Sequence, residues 1–369
     1  MIRHIAAIAL ALTGAPLLAQ QTLPFKVASL AKFAEPWAMT FLPDGRLLIT
    51  EKAGKLLIVG QDGKVFASAS GIPKVAYAGQ GGLGDVILHP DFRRNGVIYL
   101  SYAEPGDGDV AGTAVARAKL VIGKSSAELR DIKVIWRQQP KVTGKGHFSG
   151  RMAFAPDGHL FITSGERQKF TPAQDMDQNL GKVIRLTDTG GVPVDNPFVA
   201  KGGVQAQIWS LGHRNLLGIA FDGQGRLWEQ EMGPKGGDEV NLILKGRNYG
   251  WPIVSNGSHY DGRDIPDHPT RPEFEAPKVW WNPVISPGGL MIYSGALFPQ
   301  WKGSAFIGGL SSKALVRVAL NGDSAAKADQ WDMGARIREV EQGPDGAIWL
   351  LEDEKDGSQG RLLKLTPAS

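Results

Sequence analysis

The sequence predicts an all-β protein, specifically a six-bladed β-propeller, and three observations carry that prediction. A short unit of apolar run, tight turn and second apolar run recurs along the chain. The 48 glycines and 23 prolines are spread over the whole length and mark turns everywhere, with no Ser-, Pro- or charge-rich linker. No long stretch repeats its apolar residues with the helical period.

The repeat is plainest at residues 39–50 (MTFLPDGRLLIT) and 152–163 (MAFAPDGHLFIT), where Pro-Asp-Gly supplies turn chemistry between two strand-like runs. Residues 86–101 give the same pattern with a longer connection, residues 219–228 and 340–350 repeat it, and residues 295–307 are a degenerate copy. Each unit is too small to bury its own faces, and six of them at intervals of roughly 45 to 75 residues suit propeller blades. The last strand-like run, 361–365, and the first, 25–29, are expected to pair and close the ring. A β-sandwich is the weaker alternative. Function in a propeller belongs to the loops around the central channel.

Residues 1–19 read as a signal peptide: Arg3 and His4 precede an apolar run, and Ala19 is a small residue at the cleavage point before Gln20. That leaves residues 20–369 as a single propeller domain, exported and soluble in the periplasm. The apolar run is too short to span a bilayer core of about 30 Å and is interrupted by Gly14 and Pro16, so no stable membrane insertion is expected. The absence of cysteine excludes disulfides, thiolate metal sites and cysteine nucleophiles. A net charge of +4 without a basic cluster gives no nucleic-acid footprint.

Polar groups that strands do not explain are the candidate site. His147 lies in a Gly-rich loop with Gly144, Gly146 and Gly150, and Glu166 follows the hairpin that begins just after it, so the two approach each other if the hairpin closes. An imidazole suits proton abstraction near neutral pH, and a carboxylate can orient it. Gln80 sits in the glycine-dense run 79–85, which reads either as a turn or as close backbone approach to a flat ligand. Arg214 and Asn215 stand in an apolar context where Arg214 needs an anionic partner, from the protein or from a ligand. Glu229, Glu231, Asp238 and Glu239 are four carboxylates among glycines that free backbone carbonyls, an oxygen-rich arrangement suited to calcium, although without EF-hand spacing. Lys313 and the pair Arg336 and Arg338, which share one strand face, add cations in loops and strand starts; solvent-exposed charge is their plain alternative. His89 and His159 fall inside repeat turns and read as structural.

Taken together, Gly79-Gln80-Gly81-Gly82-Leu83, His147-x-x-Gly150-Arg151, Gly212-His213-Arg214-Asn215, Gly233-Pro234, Asp238-Glu239-x-Asn241, residues 248–252 (NYGWP), Lys313 and Arg336-x-Arg338 resemble the soluble pyrroloquinoline quinone (PQQ)-dependent glucose dehydrogenase family, more closely its bacterial aldose sugar dehydrogenase branch. The resemblance runs in order from about residue 36 to 365. It implies a six-bladed propeller, in agreement with the count from repeats. By the same resemblance His147 is the general base and Glu166 its acidic partner, where the best-known member carries Asp. Gln80, Arg214, Asn215, Lys313, Arg336 and Arg338 match positions that hold PQQ, an ortho-quinone with three carboxylates. The main-chain carbonyls of Gly233 and Pro234 match the calcium that binds PQQ, and Glu239 with the carbonyl of Tyr249 matches a second, structural calcium. Met232 departs from the family's Gln and receives no contact, and the loops after residue 252 look shorter.

The implied reaction is oxidation of an aldose at C1 to the lactone. His147 takes the hydroxyl proton as hydride passes to the quinone, while calcium and Arg214 stabilise charge on one quinone oxygen. Without a haem motif, electrons leave to a separate carrier. Two other readings remain open on sequence: a calcium-dependent lactonase or esterase on the same architecture, and a non-catalytic sugar- or protein-binding propeller.

Overall fold

In the computed structural model, which describes residues 22–353 and 360–368, six four-stranded antiparallel units follow one another around a ring. The first blade is Pro36–Phe41, Leu47–Glu51, Lys55–Val59 and Val65–Ser70; the second is Leu83–Leu88, Val97–Pro105, Ala111–Ile122 and Ala127–Arg137. Ser149–Phe154, Leu160–Ser164, Lys182–Leu186 and Ile208–Leu211 make the third, and Leu216–Phe221, Leu227–Glu231, Asp238–Leu242 and Val279–Trp281 the fourth. The fifth is Pro287–Ile292, Ala305–Gly309, Ala314–Asn321 and Ser324–Asp332. Ile337–Gln342, Ile348–Glu352 and Arg361–Pro367 form the sixth, completed by Phe25–Lys32 as its outermost strand. This is the expected closure: Val27 stands opposite Leu365 and Ser29 opposite Leu363, antiparallel. The signal peptide read at residues 1–19 lies outside the described residues. Among the described residues no helix is long and apolar enough to cross a membrane.

Alternation along the strands explains the packing. Ile98 and Leu100 point toward the first blade, whereas Tyr99 between them joins Met152 and Ile162 of the third. Phe161 in turn packs with Leu216 and Ile219 of the fourth, while its neighbours Leu160 and Ile162 face the second. A strand buried on both faces is therefore nearly all apolar, and the core divides into one cluster per blade interface. The repeated Thr of the Ile-Thr ending is a second joint. Thr50 accepts the Ala38 amide and donates to the Gly84 carbonyl of the next blade, and Thr163 accepts the Arg151 amide and donates to the Leu216 carbonyl.

One repeat differs from expectation. The fifth inner strand is Pro287–Ile292, not the run starting at Gly295. Residues 295–304 are a loop with a helical turn at Pro299–Trp301, because Phe298 and Trp301 are drawn into the apolar cluster with Phe25, Phe306 and Trp331. The repeat's two apolar runs there belong to different structures.

Every inner strand slips register near its start, between Pro36 and Ala38, Leu83 and Val86, Ser149 and Met152, Leu216 and Gly218, Pro287 and Leu290, and Ile337 and Glu339. Such bulges bend a strand and re-aim its side chains. Six of them at one end of the channel turn polar side chains inward, where the candidate site lies.

Deeper in the channel, Arg151 stacks on Trp37 at 4.0 Å and ion-pairs with Glu339 and Asp85. The small cavity beside it is also lined by Glu341. Burial pushes the Glu339 carboxyl up to about 7 and the Glu341 carboxyl up to about 8, with the neighbouring Glu339 and Asp85 charges adding to the latter. A carboxyl whose folded pKa is raised keeps a proton that the unfolded chain releases, so its contribution to stability falls as pH rises from the ordinary carboxylate range to about 8. Glu341→Gln, permanently neutral, is expected to raise Tm at pH 8 and leave it unchanged at pH 4.5. Equal shifts at the two pH values in thermal melts would contradict this.

Candidate active site

The third blade's first hairpin brings the proposed base and its partner together. Ser149 pairs with Ser164, which draws the loops before and after the two strands side by side. His147 Nδ1 lies 2.5 Å from Glu166 Oε1. Both side chains are buried, His147 at 6% and Glu166 at 1% exposure, so neither can rely on water for its partner. Glu166 also accepts the amides of Gln168 at 3.0 Å and Phe170 at 2.6 Å, which fixes its carboxylate. Burial alone would raise Glu166, but the hydrogen bond and charge of His147, the Phe170 amide and Arg214 together hold it below the usual carboxylate range. Burial lowers His147, opposed by Glu166 and reinforced by Arg214. The pair at neutral pH is thus a neutral imidazole against an ionised carboxylate. The carboxylate needs a donor, so the proton sits on Nδ1 and the lone pair on Nε2.

Backbone strain supports this arrangement. His147 and Ser149 have φ of 50° and 56°, and Arg167, Gln168 and Phe170 lie near 60°. Non-glycine residues adopt the left-handed region only where their surroundings over-determine it. Here the Arg167 guanidinium donates to the carbonyls of Gly146, Ala111 and Gly144, tying the two loops, while the His147 amide donates to Gln80 Oε1 at 2.7 Å. Gly165 has no alternative, since a Cβ there would stand 2.0 Å from the His147 carbonyl.

Phe148 and Ser149, next to the base, line a cleft of about 600 Å³ at the channel mouth. Its wall includes Gln80, Asn215, Arg336 and Arg338, so four of the six residues expected to hold the cofactor share one surface. Arg336 precedes the strand Ile337–Gln342 and Arg338 lies within it, so they do not share a strand face as expected, but both reach Asp353, at 3.4 and 2.5 Å. Lys313 is exposed, with φ of 50°, and is not part of the cleft wall. Arg214 is buried at 6% exposure; its guanidinium donates to the carbonyls of Met232 and Gly233 at 3.0 and 2.6 Å and packs against Trp251. Among the described residues no carboxylate pairs with it, and its buried Nε has no hydrogen-bond partner.

Met232, to which sequence gave no contact, lines the cleft, and its sulfur accepts from Asn215 Nδ2 at 3.7 Å. Trp37, Glu35, Lys52, Leu310 and Asp353 also line it and carry no motif. A positional signal exists: Lys52, Met232, Leu310 and Asp353 each directly follow the second strand of their blade, much as Glu166 follows Ser164 closely in its own. His89 and His159 are structural as expected, the first accepting the Asp91 amide and the second bonded to Arg185 and Asp157.

Gly233, Pro234, Glu239 and Tyr249 surround a second, much smaller cavity together with Glu231 and Gly212. The strand pairing stacks Glu229 against Asn241 and Glu231 against Glu239. His213, Glu229 and Glu231 offer ligand atoms within 4.8 Å of one another, all buried. Glu231 is committed to His213 Nδ1 and to the amides of Arg214 and Asn215. Glu229 Oε1 and Asn241 Oδ1 are buried without partners. Burial and the Glu231 charge raise Glu229 well above the ordinary range, and burial raises Glu239. Like charges crowded out of water are what a divalent cation relieves, and oxygen donors select calcium. Asp238 does not join them: its oxygens take the amides of Gly233, Ile285 and Ser286, so it anchors the loop instead.

The family model for glucose/sorbosone dehydrogenases matches residues 33–364. The chain belongs to the glucose/sorbosone dehydrogenase family. It is 42% identical over 344 residues to the aldose sugar dehydrogenase YliI of Escherichia coli (strain K12), covering 91% of each chain. The crystal structure of the soluble aldose sugar dehydrogenase from E. coli in its apo form superposes with a TM-score of 0.87 at 41% identity, over 93% of this chain and 100% of that one. The PQQ-bound aldose sugar dehydrogenase of Streptomyces coelicolor superposes with a TM-score of 0.77 at 27% identity, over 93% and 98%. Among these dehydrogenases the propeller is thus the shared architecture.

Proposed function

We propose that this chain is a PQQ- and calcium-dependent dehydrogenase that oxidises an aldose at C1 to its lactone. The observation that carries this reading is a neutral, carboxylate-held imidazole placed beside a cation-bearing cleft wide enough for a flat tricyclic anion. The donor set fits the cofactor: two arginines, an amide from Gln80 and another from Asn215 line the cleft, and Arg214 keeps a buried N–H unmet. When bound, the quinone accepts the two electrons as hydride and calcium polarises its carbonyl.

The chain's own residues do the rest. His147 Nε2 takes the proton of the anomeric hydroxyl, and Glu166 keeps the ring in the right tautomer and stabilises the imidazolium that results. Arg214 sets a positive charge near the oxygen where negative charge develops. Gln80, Asn215, Arg336 and Arg338 orient the cofactor, and Lys313, which stands outside the cleft wall, is a further cation of the expected set. The carbonyls of Gly233 and Pro234 would hold the cofactor's calcium, the Gly233 carbonyl also accepting from Arg214. Glu239 and the Tyr249 carbonyl, backed by Glu229 and His213, hold the structural one. We further infer that residues 20–369 act as one exported propeller domain in the periplasm and pass electrons to a separate carrier.

The test is dye-linked oxidation of a panel of aldoses by the apo-protein with and without PQQ and calcium. Sugar-dependent bleaching of the quinone that needs both additions is the expected result. Failure to bind PQQ would overturn the reading.

A further inference from the structure

Beside Glu166 and Arg214 stands a group of aromatic rings that the chemistry above does not use. Phe170 lies over the buried Trp251, ring centres 5.7 Å apart and planes 29° from parallel, and 6.1 Å from the ring of His259. Tyr260, next to His259 in the chain, puts its hydroxyl 3.4 Å from Arg214 Nη2 and its ring 5.9 Å from the guanidinium carbon. Phe170 is 44% exposed and Tyr260 74%, so these two offer apolar faces to solvent.

The backbone holds both at fixed points. Phe170 has φ of 63° and ψ of −83°, and the Thr171 amide donates to the Lys169 carbonyl at 2.9 Å, which makes a γ-turn of the rare, strained, positive-φ kind. Such strain clusters at functional sites. In that turn the Phe170 amide donates to Glu166, the carboxylate that holds His147. The turn carrying Tyr260 is pinned to the segment after Gly233 and Pro234, where Lys235 pairs with Ser258 and Gly236 with Gly257. A phenyl and a phenol left in water thus flank the groups that act on the sugar.

The chemistry of this surface selects its occupant. Apolar ring faces edged by the Tyr260 hydroxyl and the His259 imidazole match a pyranose, whose C–H groups form an apolar face inside a rim of hydroxyls and carry slight positive charge toward the negative face of an aromatic ring. The cofactor's carboxylates belong with the cations of the cleft wall, of which neither Phe170 nor Tyr260 is part. Resting on the function proposed above, we propose that Phe170 and Tyr260 form a subsite for the second sugar ring of a reducing disaccharide, so that a disaccharide is held more tightly than the monosaccharide with the same reacting end.

The test measures KM and kcat for glucose, cellobiose and maltose, which present the same reducing ring, in wild type, Phe170→Ala, Phe170→Trp and Tyr260→Ala. Inhibition by the 1,5-anhydro derivatives of the same sugars, which lack the anomeric hydroxyl, reads binding without turnover. Wild type is expected to show a lower KM and Ki for at least one disaccharide than for its monosaccharide counterpart. Removing either ring raises both constants for that disaccharide by about 3- to 10-fold relative to glucose, the effect of one lost aromatic contact, while kcat holds. Phe170→Trp restores the preference. Glucose is the internal reference, because a variant that only disturbed Glu166 or Arg214 would slow both sugars equally, and that result would overturn the inference. So would a wild type with no preference for either disaccharide, or a preference that survives in either alanine variant; each of these leaves the function intact. Wild type that oxidises no aldose with PQQ and calcium present would overturn the function and this inference together.

Discussion

Sugar oxidation by His147→Ala is expected to fall by about 10²- to 10⁴-fold, the range a positioned general base contributes, with PQQ still bound. The separation follows from the geometry. His147 is held from behind by Glu166 and lies beside the cleft wall, whereas Gln80, Asn215, Arg336 and Arg338 form that wall. Removing the imidazole takes away the proton acceptor and leaves the orienting groups in place. Since burial lowers the pKa of His147, the wild-type rate should rise with pH only on the acid side of neutrality and be flat above it. Single-turnover reduction of the bound quinone across pH is the measurement. Near-normal turnover in the variant would remove His147 from the chemistry.

Arg214→Ala is expected to lose both affinity and turnover. Its guanidinium stands between the Met232 and Gly233 carbonyls and the aromatic face of Trp251, with one buried N–H unmet. Loss of one electrostatic stabiliser at a dry reaction centre typically costs about 10²- to 10³-fold in turnover, and the lost charge raises the Kd for an anionic cofactor as well. Titration of PQQ alongside steady-state kinetics separates the two effects. A variant with unchanged affinity would contradict the placement of Arg214 at the cofactor, whatever its turnover.

Much of this was legible because local and global patterns agree. Pro-Asp-Gly turns between apolar runs gave the inner hairpins, and the same hairpin logic set His147 against Glu166 from opposite ends of one loop pair. The ring closure between residues 25–29 and 361–365 was readable from strand pattern alone. The misses have physical causes. Residues 295–301 looked like a strand because apolar density does not say whether Phe298 and Trp301 serve a sheet or an aromatic cluster. Asp238 looked like a metal ligand because sequence shows a carboxylate but not the three amides that claim it. Lys52 and Asp353 went unnoticed, and Met232 was given no contact, because wall residues at strand ends need no motif; their position in the blade repeat, rather than their chemistry, selects them. Two residues apart on one strand, Glu229 and Glu231 point the same way, yet only the tertiary fold shows that Glu231 is spent on His213 and two backbone amides while Glu229 keeps an oxygen free.

The pairing of Phe25–Lys32 with Arg361–Pro367 bears on how the molecule is made. The strand Phe25–Lys32 waits for Arg361–Pro367, so the sixth blade cannot be finished until residues 361–367 have been made, and the loop closed by that pairing spans more than three hundred residues. Contacts of such sequence separation form late and slowly. In the exported protein proposed above, this delay keeps the polypeptide threadable while it crosses a membrane. The pairing also places residues 25 and 367 side by side, so that a short linker joining them, with a new opening at the turn between Phe154 and Leu160, would yield a permuted ring whose folding no longer depends on that final handshake.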